Sequence, residues 1–171
     1  MSIIEQLADA CIGSTFNFYR DGGRAALCRA RLAAYFESRG AAPILLVAEA
    51  PGYRGTRVSG IPLTSERQLT GTGPAEATAT IVHRVLGELG LEERVLLWNV
   101  VPTHPGSERS NRRPTREEVG AGRLFLDALA VGRRTIPVGR LAHEVLGGRY
   151  VRHPSHGGAH AFRTGLLELL S

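Results

Sequence analysis

Three polar residues stand where apolar runs end, and their types suggest chemistry. Glu49 follows Ile44-Leu45-Leu46-Val47-Ala48, Asn99 follows Val95-Leu96-Leu97-Trp98, and His153 follows Tyr150-Val151-Arg152. A carboxylate can orient and activate water or stabilise a developing cation, while an imidazole can donate to a developing anion. A carboxamide offers one donor and one acceptor, which suits reading of a neighbouring carbonyl and N–H. Each residue also has a structural alternative. Glu49 could be a strand-end carboxylate paired with an arginine, Asn99 an Asx turn, and His153 a ring bonded to backbone. His104, within Thr103-His104-Pro105, reads as structural, with a contact to a ligand as the alternative.

The elements that position these residues follow from periodicity and punctuation. Residues 44–48 form a continuous apolar run after Pro43, the pattern of a strand buried on both faces. Residues 95–98, 135–138 and 150–152 read as three further short strands. Helices are expected over residues 1–7, 24–39, 75–89, 140–146 and 159–170. Another starts at Thr115, whose capping box with Glu118 marks a helix to about residue 130. Strands alternating with helices predict a three-layer α/β/α sandwich around a four-stranded, mostly parallel sheet, in a single domain covering residues 1–171. Ligands in such sheets bind beyond the carboxyl ends of the strands. Glu49, Asn99 and His153 all open loops at those ends, so they are expected to converge.

The chain has 171 residues, 43% of them hydrophobic and 22% charged, with a formal net charge of +5. These values fit a soluble globular domain. All 21 basic residues are arginine. Without lysine there is no side chain to form a Schiff base and no Walker-type phosphate loop. Arginine's planar fork suits phosphate, and Arg109, Arg112, Arg113 and Arg116 cluster in one loop and the helix start after it. The alternative is a solvated basic face. Gly71-Thr72-Gly73-Pro74 could cradle a phosphate at a helix N-terminus or simply begin the helix. Cys11 and Cys28 form no CxxC pair and have no matching ligand cluster, so no metal and no cofactor is expected. No run is long enough to span a membrane. Residues 1–10 carry Glu5 and Asp9 where a secretory leader would be basic and then apolar, so a cytoplasmic monomer is expected.

The loop motifs Glu49-Ala50-Pro51-Gly52 and His153-Pro154-Ser155, with Asn99 between them, resemble the uracil-DNA glycosylase superfamily. The resemblance is to the branch whose first motif reads Glu-Ala-Pro-Gly and whose last reads His-Pro-Ser. Asn111-Arg112-Arg113-Pro114-Thr115 is similar to that branch's segment ahead of a major helix. The likeness runs from about Ile44 to Phe162. It implies hydrolysis of the N-glycosidic bond of a deaminated base in DNA, with the target flipped into a pocket. Glu49 would activate water and stabilise the oxocarbenium-like sugar, and His153 would donate to the departing base. Asn99 would read the O4 and N3–H edge of uracil, with Pro51, Gly52, Tyr53 and Leu63 forming the pocket. Ser155, His156, Arg109, Asn111, Arg112, Arg113 and Arg163 would meet the DNA.

The chain also departs from that branch. It lacks the four cysteines of the branch's iron–sulfur cluster, and Ala48 stands where glycine is usual. Leu63 replaces an aromatic residue that stacks on the base, a role Tyr53 could assume. After His-Pro-Ser the chain reads His156-Gly157-Gly158, with no apolar wedge before Phe162. Asn111 occupies the position of a histidine that crosslinks some relatives to DNA, which implies turnover without a stable crosslink. These departures keep open another base (hypoxanthine or xanthine) and a DNA-binding relative with little catalysis.

Overall fold

The computed structural model describes residues 1–170. Chain order is α1 (Ile3–Asp9), α2 (Ala25–Arg39), β1 (Ile44–Ala48), α3 (Thr56–Ser59), α4 (Glu66–Thr70), α5 (Ala77–Glu88), β2 (Val95–Asn99), β3 (Gly106–Ser107), β4 (Ser110–Asn111), α6 (Arg116–Ala130), β5 (Arg134–Pro137), α7 (Arg140–Leu146) and α8 (Ala159–Leu170). The central sheet has the order β2-β1-β5, and both pairings are parallel. Register places Ala48 opposite Asn99 and Val47 opposite Pro137, so the carboxyl ends of all three strands lie side by side.

Every residue of β1 is buried, because alternate side chains enter different layers. Leu45 and Val47 pack with Leu32 of α2 and with Phe125 and Leu126 of α6. Ile44, Leu46 and Ala48 pack with Val82 and Leu86 of α5 and with Phe162 and Leu166 of α8. Two helical layers therefore cover the sheet, and the three-layer sandwich read from the sequence is present.

The expected fourth strand is not. Residues 150–152 join the sheet by one bridge, Val138 to Val151, with Val151 N–H donating to the Pro137 carbonyl at 3.0 Å. Left-handed glycines at 147 and 148 precede this segment and Pro154 follows it, so only one register position remains before the chain turns away. The sheet among the described residues has three strands with one bridged edge. The loop that Glu49 opens contains two short helices, α3 and α4, and the loop that Asn99 opens contains the β3–β4 hairpin.

The box at α6 forms as expected, with Glu118 N–H donating to Thr115 Oγ1 at 3.2 Å and Thr115 N–H to Glu118 Oε2 at 2.8 Å. Its carboxylate does more than cap. Arg112 Nη1 donates to Oε2 at 2.8 Å and Arg112 Nη2 to Oε1 at 2.6 Å, on a side chain only 1% exposed. That pair fixes the start of α6 to the loop carrying Asn111 and Arg113.

Candidate active site

A cavity of about 550 Å3 opens at the carboxyl ends of the strands, with Glu49, Gly52, Glu76, Asn111, Arg113 and His153 on its wall. Pro51, Arg112, Ser155 and His156 also line it, so two of the expected loops meet there together with the loop before α6. A second depression, of about 450 Å3, shares Gly139, Arg140, His153, Ser155 and His156 with the first and adds Tyr150 and Arg152.

The two loops nearest β1 and β2 are tied through backbone. Buried His104 bonds the Pro51 carbonyl through Nδ1 and the Ser107 carbonyl through Nε2, each at 2.8 Å. Its role is structural. Tyr53 N–H donates to Asn111 Oδ1 at 2.9 Å, which draws the Glu-Ala-Pro-Gly loop onto β4. The glycine of that motif is required sterically. A Cβ at Gly52 would run into the Glu76 carboxylate, as would one at Gly55.

Glu49 is half-buried, and burial pushes its carboxyl above the ordinary range. Arg113 opposes that shift and Glu144 adds to it. Arg113 and Glu144 also pair with each other at 3.1 Å. A carboxyl whose pKa is raised by burial and restrained by one nearby cation is a stronger base than a free carboxylate yet still ionises, which suits activation of water.

His153 is held in one tautomer. Ser155 N–H donates to His153 Nδ1 at 3.3 Å, and Ser155 Oγ lies 2.8 Å from the same atom. With Nδ1 accepting, the ring proton resides on Nε2, which is left free to donate. Burial lowers the ring's pKa, and repulsion from His156 lowers it further, so the imidazole is neutral at pH 7. The supporting turn is tight. His156 adopts a left-handed φ of 51°, and a Cβ at Gly158 would collide with the His153 carbonyl.

Asn99 is not on the cavity wall. Its side chain is buried at the end of β2, and neither Oδ1 nor Nδ2 has a hydrogen-bond partner. Buried amides without partners are rare, and each unmet group costs roughly 1–3 kcal/mol.

Four other expected residues are placed elsewhere. Leu63 also has a left-handed φ, 52°, and turns its side chain into the core beside Ala48 and Phe162. Tyr53 is half-exposed beyond the wall. Arg109 is exposed on the hairpin turn, and Arg163 pairs with Glu88 at 3.2 Å on α8. Glu76, which the motif reading passed over, sits on the wall because the loop of Gly52 and Gly55 folds against it. Its only sequence signal is a carboxylate placed just before a helix, which reads as an ordinary helix start.

A family model described as the uracil DNA glycosylase superfamily matches residues 36–168, which takes in the whole of this site. The chain belongs to the uracil-DNA glycosylase superfamily. Its fold is similar to the crystal structure of wild-type Pedobacter heparinus SMUG2, with a TM-score of 0.68 at 12% identity over 98% of this chain and 94% of that one. No curated protein matches it in sequence. The iron–sulfur cluster of the Glu-Ala-Pro-Gly branch does not fit this chain, whose two cysteines fall short of four thiolate ligands. One of them, Cys28, is on the buried face of α2, within the core. Among the described residues no helix is long and apolar enough to cross a membrane, and no three His, Cys, Asp or Glu side chains gather as a metal site.

Proposed function

We propose that this superfamily member is a monofunctional glycosylase that hydrolyses the N-glycosidic bond of uracil in DNA, using water and no lyase step. The observation that carries this reading is the pairing of Glu49 with neutral His153 on one cavity wall. As the bond to C1′ lengthens, positive charge grows on the sugar and negative charge on the base. Ionised Glu49 stabilises the sugar and takes up the attacking water's proton. His153 donates from Nε2 to a base carbonyl, a contact that strengthens as the base becomes an anion. Removing a preorganised donor of this kind typically costs about 10²–10³ in kcat. Asn99 lies behind the wall, and in this reading uracil flipped from the helix reaches past that wall to the carboxamide, where its O4 and N3–H satisfy the orphaned amide.

DNA follows the basic rim in this reading. Arg109 and Arg113, with Ser155, His156 and Asn111, face the strand from the two loops. Arg140 and Arg152 extend the path along the second depression. Arg112 acts indirectly, since its guanidinium is occupied by Glu118. Arg163, paired with Glu88, contributes the least. The enzyme acts as a cytoplasmic monomer.

A second reading keeps the reaction and changes the base to hypoxanthine or xanthine. The inward turn of Leu63 supports it, because no phenylalanine, tyrosine or tryptophan among the described residues lines the cavity. The test is release of base from oligonucleotides carrying one central uracil, hypoxanthine, xanthine or mismatched thymine, single-stranded and duplex, with alkali to cut at abasic sites. Uracil-dependent cleavage supports the first reading, and cleavage only at a purine supports the second. Binding without cleavage on any substrate leaves a DNA-binding relative.

A further inference from the structure

Glu76 has no place in the reaction as derived so far, yet its half-buried carboxyl stands on the cavity wall. It occupies the N-cap position of α5, where its backbone N–H donates to Ser65 Oγ at 2.8 Å. Its side chain makes no capping bond to that helix. The carboxyl turns instead onto the Glu-Ala-Pro-Gly loop, filling space that a Cβ at Gly52 or Gly55 would need. No hydrogen bond or ion pair from a described residue reaches it. A buried structural carboxylate is normally paired within the protein, whereas this half-buried one has no protein partner and opens onto the cavity. An unpartnered, desolvated carboxyl in a cleft is the condition of a group awaiting a ligand.

We propose that Glu76 is a further base-binding residue, whose neutral carboxyl donates its O–H to a carbonyl oxygen or ring nitrogen of the extruded base. This rests on the glycosylase reading above. The bond from base nitrogen to C1′ breaks with its electron pair left on the base, and the water oxygen forms the new bond to C1′. The water proton goes to Glu49, while Glu76 keeps its own proton and shares it with the base. An ionised carboxylate at this place would repel the departing anion, so only the neutral acid assists.

Burial raises the pKa of both carboxyls. Arg113 pulls Glu49 toward the ionised form, whereas burial acts on Glu76 with no opposing cation. That difference in surroundings favours Glu49 as the base and Glu76 as the acid. The other ionisable groups facing the cavity are Arg112 and Arg113 ahead of α6, Arg140 and Glu144 on α7, and His153 and His156 in the last loop. Protonation of His153 moves to lower pH, so a loss of rate with rising pH that is absent from a Glu76→Gln variant belongs to Glu76.

The experiment is single-turnover excision from single-stranded oligonucleotides carrying uracil, hypoxanthine or xanthine, across pH 5.5 to 9.5. Wild type, Glu76→Gln and Glu76→Ala are compared, with thermal melts as folding controls. The expected result is an at least tenfold loss in the excision rate for Glu76→Ala with DNA affinity within threefold of wild type. Glu76→Gln, whose amide still donates, retains most of the neutral-pH rate and loses the alkaline decline. If Glu76→Ala does not fold, the Gln pH profile decides alone. An alkaline limb unchanged in Glu76→Gln overturns the proposal, as does a rate for folded Glu76→Ala within twofold of wild type on every base. An active wild type with insensitive Glu76 variants leaves the glycosylase reading intact. A wild type inactive on all three bases overturns both.

Discussion

Replacing Glu118 by Gln tests whether the loop bearing Asn111 and Arg113 is held by a buried ion pair. The Arg112 guanidinium, with the Thr115 N–H and Ser14 nearby, draws the Glu118 carboxyl from its ordinary 4.5 down to about 2. That difference corresponds to about 3 kcal/mol favouring the folded, ionised state at neutral pH. Arg112 is 37% exposed and partly screened by water, and Gln keeps some hydrogen bonds, so about 2 kcal/mol is expected. For a chain of this size, that lowers Tm by about 4–8 °C. The folded-state value lies below the unfolded one. The stabilisation is therefore complete above pH 4.5 and disappears as pH falls through about 2. Urea denaturation of both proteins at pH 7, 4 and 3 measures the gap, which shrinks by about half or more at pH 3. A gap under 0.5 kcal/mol at pH 7, or one constant across pH, would refute the ion-pair argument.

Other consequences concern the site. Asn99→Leu removes an amide with no partner, so it raises stability by about 1–3 kcal/mol in chemical denaturation while abolishing uracil excision. Loss of stability together with loss of activity would show that the amide is satisfied within the protein. Activity that depends on ionised Glu49 falls as pH drops through its raised pKa, so the acid limb of kcat/KM lies above 4.5 and vanishes in Glu49→Gln. Ser155→Ala removes the hydroxyl contact to His153 Nδ1 and leaves the backbone N–H bond, which loosens the ring's orientation and lowers kcat by roughly a few-fold with little change in KM. Arg113→Gln flattens the dependence of DNA affinity on salt by about one charge, read as the slope of log Kd against log salt.

Much of this molecule is legible in its sequence because buried parallel strands announce themselves. The run 44–48 lies between two helical layers, so every residue is apolar and the first polar one, Glu49, marks the strand end. The Thr115–Glu118 box fixes the start of α6 for a similarly local reason. The second partner of Glu118, Arg112, is also near in sequence but reads as one of several free arginines, since burial of the carboxylate is a tertiary fact. Residues 150–152 look like a strand, yet the glycines before them and Pro154 after them leave a single bridge. Leu63 reads as a pocket residue from its motif position. A left-handed backbone, which the sequence Gly60-Ile61-Pro62-Leu63 does not betray, turns it into the core. Glu76 lies 27 residues beyond Glu49, and only the folding of two glycines against it brings it to the site.

The central claim is that Glu49 and His153 carry out base excision in one pocket, and a matched pair of measurements tests it most directly. Uracil release and DNA affinity are compared for wild type and the Glu49→Gln, His153→Ala double variant on the same single-stranded oligonucleotide. The expected result is excision by wild type, a loss of at least 10³-fold in the variant, and a Kd for DNA within a few-fold of wild type. Equal excision by both proteins, or binding without excision by either on uracil, would contradict the claim.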